Sequence, residues 1–162
     1  MKWLLGLTVA ALGLGLAACG SDSKPKVQAG GVGADQPAAA VSVAQNPAHG
    51  TILVDGKGRT LYLFEKDNGT TSACTGACAQ VWPAFTAGAA PTAGSGVEAA
   101  KLATADGQVA QQVTYGGHLL YSYSGDAAPG DVKGVGIPGW YPVGPSGAKV
   151  DKDDLGSSGG GY

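Results

Sequence analysis

Leu61-Tyr62-Leu63-Phe64-Glu65-Lys66-Asp67 returns later in the chain as Leu120-Tyr121-Ser122-Tyr123-Ser124-Gly125-Asp126. Each copy places Tyr, a second aromatic residue and Asp at the same spacing. Each is followed, about 15 and 14 residues on, by a tryptophan: Trp82-Pro83 after the first copy and Trp140-Tyr141-Pro142 after the second. Side chains alternate sides along a strand, so Tyr62 shares a face with Phe64, and Tyr121 with Tyr123. Asp67 and Asp126 fall where the strands end, where a carboxylate can accept backbone N–H bonds and shape the next loop. A motif repeated in this way predicts two related β-units packed on a shared core.

Outward from these copies, turn signals divide the chain into short strands. Thr51–Asp55 reads as a strand, Asp55-Gly56-Lys57-Gly58 as a turn, and Arg59–Glu65 as the return strand of a hairpin. Cys74–Val81 has few β-branched residues and stops at Pro83, which predicts a short helix or a turn. Ala87–Gly96 is a loop. Lys101–Thr104 and Gln108–Tyr115 form a second hairpin about Ala105-Asp106-Gly107. Gly116-Gly117 turns into the strand His118–Ser124, Gly125–Gly139 is a long loop, and Trp140–Val143 is a last strand. The expected fold is all-β with one short helix: a small barrel or sandwich of about seven strands over residues 46–148. A Gly count of 29 and a charged fraction of 14% agree with a turn-rich β protein.

The first 18 residues read as a lipoprotein signal peptide. Lys2 is followed by an apolar run of about 13 residues, short of the ~20 needed for a membrane-crossing helix. Leu16-Ala17-Ala18-Cys19 then resembles the bacterial lipobox, which implies a fatty-acylated Cys19 as the first residue after cleavage. Residues 19–45 read as the lipidated cysteine and a flexible linker, and residues 149–162 as a disordered tail. Lys2 is the only charged side chain before Cys19, so the net charge of −2 becomes −2 − 1 = −3 after cleavage. With no Lys/Arg cluster, nucleic acid is not an expected partner. The expected partners are the membrane, through the lipid, and an unidentified envelope protein or small ligand. The expected location is the cell membrane or outer membrane, facing the periplasm or exterior.

Acylation of Cys19 leaves Cys74 and Cys78 in a compartment that permits disulfides. A structural bridge between them is the first reading. A redox pair is the second, although the spacing departs from Cys-x-x-Cys. A metal pair is the third. His49 and His118 would be needed to complete a Cys₂His₂ set, and nothing in the spacing brings them together. The loop Asp126–Asp131 reads first as a β-turn-rich connection, with its two carboxylates as a calcium site the alternative. Trp82, Trp140, Tyr62, Phe64, Tyr121 and Tyr123 read as a shared aromatic core, with a platform for a ligand or glycan as the alternative. Catalysis has little support: Ser146 lacks a nucleophile elbow. Asp67 and Asp126 occupy equivalent places, whereas a general acid and base need different environments. No cofactor is implied, and the chain reads as non-enzymatic.

The repeated residues resemble the secreted-repeat family of predicted bacterial lipoproteins, known for a Yx(FWY)xxD motif. The likeness extends to Ile52-Leu53-Val54-Asp55, Gly58-Arg59-Thr60-Leu61-Tyr62, Cys74-x-Gly76-x-Cys78-Ala79 with Trp82-Pro83, Tyr115-x-Gly117-His118, and Gly125-Asp126-x-x-Pro129-Gly130-Asp131. The resemblance implies a fold and an extracytoplasmic address, but no reaction. Ala84, Leu119 and Lys133 depart from the family's usual residues, and Lys133 weakens the cation-site reading.

Overall fold

The structure, a computed structural model, describes residues 39–151. The expected signal peptide, Cys19, most of the expected linker and the expected tail beyond Asp151 lie outside the described residues. Within them the chain is all-β, with eight strands in three small sheets, one five-residue helix and no closed barrel.

The first sheet belongs to the first half of the chain. Strand β1 (Ala40–Asn46) pairs antiparallel with β2 (Gly50–Asp55), with Val41 opposite Asp55 and Val43 opposite Leu53. The connection is an Asx turn in which Asn46 Oδ1 accepts the N–H groups of Ala48 and His49 at 2.9 and 3.1 Å. The linker expectation to residue 45 is therefore corrected at its end. Ala, Ser and Gln dilute the two-residue period carried by Val41 and Val43, so the strand does not stand out by hydrophobicity. Residues 87–96, expected as a plain loop, contain the strand β4 (Thr92–Ala93), which pairs parallel with the other edge of β1.

The 51–65 hairpin closes as expected and then diverges. Buried Asp55 accepts the N–H of Lys57 and of Arg59 through Oδ1, at 2.8 and 2.9 Å. Its Oδ2 takes the Arg59 guanidinium at 2.9 and 2.7 Å. The two arms share one β-bridge, Val54 to Thr60, and Leu61 N–H donates to Leu53 O at 2.9 Å. Strand β3 (Tyr62–Phe64) then leaves β2 and pairs antiparallel with the last strand, β8 (Trp140–Pro142).

The second half repeats the plan. Strands β5 (Leu102–Ala105), β6 (Gln112–Tyr115) and β7 (His118–Leu119) form an antiparallel sheet. Residues 108–111, expected within a strand, form the turn into β6, and Gln111 sits at a φ of 60°. The expected strand 118–124 is regular only over β7. Beyond it Tyr121 makes isolated bridges to Tyr62 and to Ala84. The expected tail begins too early at 149: Lys149 bridges Val143, and Val150 N–H donates to Pro142 O at 2.8 Å.

At the middle the two halves interlock. Tyr62 and Tyr121 exchange both backbone bonds, each 2.9 Å. The Glu65 N–H donates to Gly139 O at 2.9 Å, and in the equivalent place Ser124 N–H donates to Val81 O at 2.9 Å. Likewise Val143 N–H reaches Leu61 O at 3.1 Å, and Phe85 N–H reaches Leu120 O at 2.9 Å. Each half thus lays its Tyr-x-aromatic segment against the Trp-Pro segment of the other. Leu53, Leu61, Leu63, Phe85, Val113 and Leu120 fill one core between the sheets, and a second, aromatic cluster lies beside it. Leu61 and Leu120, one from each half, lie fully buried in the same core, and such a side chain stabilises by roughly 1.5–3 kcal/mol.

This interlock gives a direct expectation. Residues 39–96 and 97–151, expressed as separate chains, should each lack the dispersed amide spectrum of a folded domain. Mixed together they should regain it, and two independently folded fragments would contradict the crossing.

A crossed tyrosine–aspartate clasp around a stacked tryptophan pair

The candidate site is where the repeated motif converges. The Tyr62 hydroxyl donates to Asp126 Oδ2 at 2.7 Å, and the Tyr121 hydroxyl donates to Asp67 Oδ2 at 2.8 Å. The tyrosine of each repeat therefore bonds the aspartate of the other. Both tyrosines are fully buried and Asp126 is nearly so. The second carboxylate oxygen of each aspartate anchors its own loop: Asp67 Oδ1 accepts Ala73 N–H and Asp126 Oδ1 accepts Lys133 N–H, both at 2.8 Å. A second contact completes each phenol. Gly134 N–H donates to Tyr62 Oη at 3.2 Å, and Ser72 Oγ lies 2.7 Å from Tyr121 Oη.

The rings follow the same symmetry. Trp82 and Trp140 stack face to face, with centroids 3.8 Å apart and planes inclined by 1°. Tyr123 covers the outer face of Trp82 at 4.4 Å and Phe64 covers Trp140 at 4.3 Å, so each outer ring lies on the other half's tryptophan. Tyr62 meets Trp82 edge-on at 5.2 Å, and Tyr121 meets Trp140 edge-on at 5.1 Å. Such pairs add about 0.5–1.5 kcal/mol each beyond the area they bury. Gly134 lies against this cluster. A Cβ there would stand 2.6 Å from Trp82 Cη2 and 2.8 Å from Tyr62 Cε1, so the loop can approach only without a side chain.

Electrostatics follow from burial. Removal from water pushes Asp126 above the usual carboxylate range, with the Tyr62 hydrogen bond pulling the other way. Asp67 is raised for the same first reason, against the pull of the Ala73 N–H, the Tyr121 hydroxyl and nearby His118. The phenols of Tyr62 and Tyr121 are held far above their ordinary range, chiefly by burial. In each pair the phenol is the donor and the carboxylate the acceptor.

The motif residues Tyr62, Phe64, Asp67, Trp82, Tyr121, Tyr123, Asp126 and Trp140 thus meet in one place. Cys74 and Cys78 are bridged beside them, with Cys74 fully buried at the entry to helix α1 (Ala77–Val81). The bridge is tied to the clasp: Ser72 Oγ, the partner of Tyr121, accepts the Cys74 N–H at 3.1 Å. Other readings separate in space. Asp131 turns to Lys133 Nζ at 2.8 Å and to the N–H groups of Ala127 and Ala128, whereas Asp126 turns inward to Tyr62. The Asp126–Asp131 loop consequently does not converge on a cation. Among the described residues no group of three His, Cys, Asp or Glu side chains is placed to hold a metal, which leaves His49, His118, Cys74 and Cys78 without a common centre. The platform alternative for the aromatic residues loses its surface, because Trp82 and Trp140 are each only 4% exposed.

Sequence reasoning misses Ser72, already met at the Tyr121 hydroxyl, and two glutamines that complete the site. Gln108 donates from Nε2 to Cys74 O at 2.8 Å and accepts Ala84 N–H at 3.1 Å. Fully buried Gln112 donates to Leu120 O at 2.9 Å and accepts Gln108 N–H at 2.8 Å. Glutamine beside a turn carries no signal of burial. Only its place in a segment that must pair with two neighbours could have pointed to it.

Two hollows adjoin the clasp. One, of about 240 Å³, is lined by Ile137, Pro138, Trp140, Tyr141, Pro142 and Val150, with Asp151 at its rim. The other, of about 330 Å³, has Phe64, Glu65, Asp67, His118 and Lys149 around it.

The crossing predicts which residues are coupled. In double-mutant cycles of Tyr→Phe with Asp→Asn, followed by denaturant unfolding, Tyr62/Asp126 and Tyr121/Asp67 should show coupling of about 0.5–3 kcal/mol. The within-repeat combinations Tyr62/Asp67 and Tyr121/Asp126 should add to within roughly 0.5 kcal/mol. Coupling that follows the repeats rather than crossing them would contradict the geometry.

The raised carboxylates predict a pH effect of defined sign. Between the ordinary carboxylate value and the raised one, the folded state binds more protons than the unfolded chain. Those two groups therefore favour folding increasingly as pH falls through that window. Relative to an Asp67→Asn/Asp126→Asn double variant, the natural protein should gain stability on acidification from about pH 7 to about pH 4. Denaturant midpoints at stepped pH read this, and a gap that narrows toward acid would reverse the sign.

Comparison with known proteins adds one finding. A family model described as a secreted repeat of unknown function matches residues 43–86 and again residues 102–143, one match to each half. No curated protein and no solved structure matches the chain.

Proposed function

The chain belongs to the secreted-repeat family, and from that premise we propose that it is a lipid-anchored module of the bacterial envelope with a non-enzymatic binding or structural role. The family points to an extracellular or envelope location. Among the described residues no helix is long and apolar enough to cross a membrane. Anchoring is assigned to a fatty-acylated Cys19, which lies outside the described residues and rests on the sequence Leu16-Ala17-Ala18-Cys19.

The observation that carries the non-enzymatic reading is the crossed clasp. The hydroxyl and carboxylate groups that the family motif supplies are bonded to one another across the two halves. Those bonds hold the units together. Partner binding then falls to surfaces beside the clasp. The hollow between Ile137 and Val150 is the best candidate, because proline and aromatic rings make an apolar floor suited to an extended peptide or a small apolar ligand. The Cys74–Cys78 bridge fits a structural role in this reading: one sulfur belongs to a fully buried residue, and the bridge abuts the rings of the clasp.

Two measurements test the proposal. Cys19→Ser should move the protein from the membrane fraction to the soluble one, and intact-mass analysis of the natural protein should show the acyl chains on its first residue. An unmodified N-terminal thiol would remove the anchor. Partner capture from envelope extracts should then fail for Ile137→Asp while the near-ultraviolet dichroism of the tryptophan pair is kept. Undiminished capture by that variant would move the binding surface elsewhere.

A further inference from the structure

Each phenol of the clasp has a carboxylate in hydrogen-bonding contact and a tryptophan in edge-on ring contact. Tyr62 lies 2.7 Å from Asp126 Oδ2 and 5.2 Å from the Trp82 ring centroid. Tyr121 lies 2.8 Å from Asp67 Oδ2 and 5.1 Å from the Trp140 centroid. The two tryptophans are parallel and in contact, and half-buried Tyr123 lies tilted by 33° against Trp82. A clasp needs only the hydrogen bonds. The added feature is an unbroken series of the most easily oxidised side chains, running from a partly exposed ring to two phenols that each have a proton acceptor in place.

We propose that the Trp82–Trp140 pair and its two Tyr–Asp partners form a redox site that absorbs one-electron oxidants, a carbonate- or nitrogen-dioxide-type radical being the chemical class. The oxidant takes one electron at the Tyr123–Trp82 end and leaves as its anion. The electron vacancy is shared by the stacked indoles, whose facing π-systems spread the positive charge. An oxidised phenol is a strong acid, so transfer to tyrosine requires its proton to leave with the electron. The Tyr62 O–H bond breaks, the proton passes to Asp126 Oδ2, and the electron fills the vacancy on Trp82. The products are a neutral Tyr62 radical, a protonated Asp126 and the reduced oxidant. The same step at Tyr121 uses Asp67. Burial of both phenols keeps the radical from other molecules until a small thiolate returns one electron, leaving as a thiyl radical, and the aspartate then returns the proton. This site is independent of the partner surface proposed above, and either can fail without the other.

The test uses the full-length protein in detergent micelles and flash-generated ruthenium(III) tris-bipyridine as the one-electron oxidant. The expected sequence is an indole radical that decays into a neutral tyrosyl radical. Electron–nuclear double resonance should show an exchangeable proton hydrogen-bonded to the phenoxyl oxygen from the protonated aspartate. In the Asp67→Asn/Asp126→Asn variant, decay of the indole radical should slow by roughly tenfold or more, since the positioned base is gone. In Tyr62→Phe/Tyr121→Phe the tyrosyl signal should disappear. The resonance measurement needs only the natural protein, so it decides even if the variants do not fold. A tyrosyl radical without the exchangeable coupling, or equal indole decay in folded natural and Asn proteins, overturns the proposal.

Discussion

Two hydrogen bonds, Tyr62 to Asp126 and Tyr121 to Asp67, join residues from opposite halves of the chain and set the position of everything around them. A hydrogen bond to a charged group contributes about 1.5–3 kcal/mol net, and breaking one leaves a buried polar atom unsatisfied at comparable or greater cost. These bonds fix how the halves meet. The Tyr62–Tyr121 backbone exchange, the stacking of Trp82 on Trp140, and the crossed pairing of Glu65 with Gly139 and Ser124 with Val81 all share the same approximate two-fold relation. Rotating one half away would break the bonds, unstack the indoles and open the aliphatic core together.

The family motif takes on a physical meaning in this arrangement. Its Tyr and Asp are not partners of each other within one copy. They are the two halves of a connector, each of which needs a second copy. The intermediate aromatic residue, Phe64 or Tyr123, covers the tryptophan supplied by the other half. The parts that hang from the clasp include residues 87–101 and the loop between Asp126 and Gly139. In this chain that loop also reaches back through Gly134 into the aromatic cluster, where the absence of a side chain lets it close on Tyr62 and Trp82.

Much of this was legible in the sequence, and the illegible part has a common cause. Duplication, the all-β class, the aromatic cluster and the nearness of Cys74 to Cys78 follow from residue type and spacing. The crossing does not: a strand with Tyr62 and Phe64 on one face fits equally well against its own hairpin partner or against Trp140. The choice is made by the distant Pro142 and Tyr121, not by local preference. Strand β1 was hidden because its alternation is written in Ala, Val and Ser, a contrast too weak to tell from a tether. The roles of Ser72, Gln108 and Gln112 were hidden because a small polar side chain looks the same in sequence whether it meets water or a buried carbonyl. The cation reading of Asp126–Asp131 failed for a related reason. Spacing puts the two carboxylates near each other, but the fold turns one inward to a phenol and leaves the other to Lys133.

The crossed connector also constrains how such chains can be assembled in evolution. A lone unit would present one unmatched phenol, one unmatched acid and a single indole with a bare face. It could persist only by finding its twin on another polypeptide, as a symmetric homodimer. Fusing two units end to end makes the twin permanent and fixes their ratio. Longer arrays should therefore grow by even steps, because a third unit would have nothing left to grip.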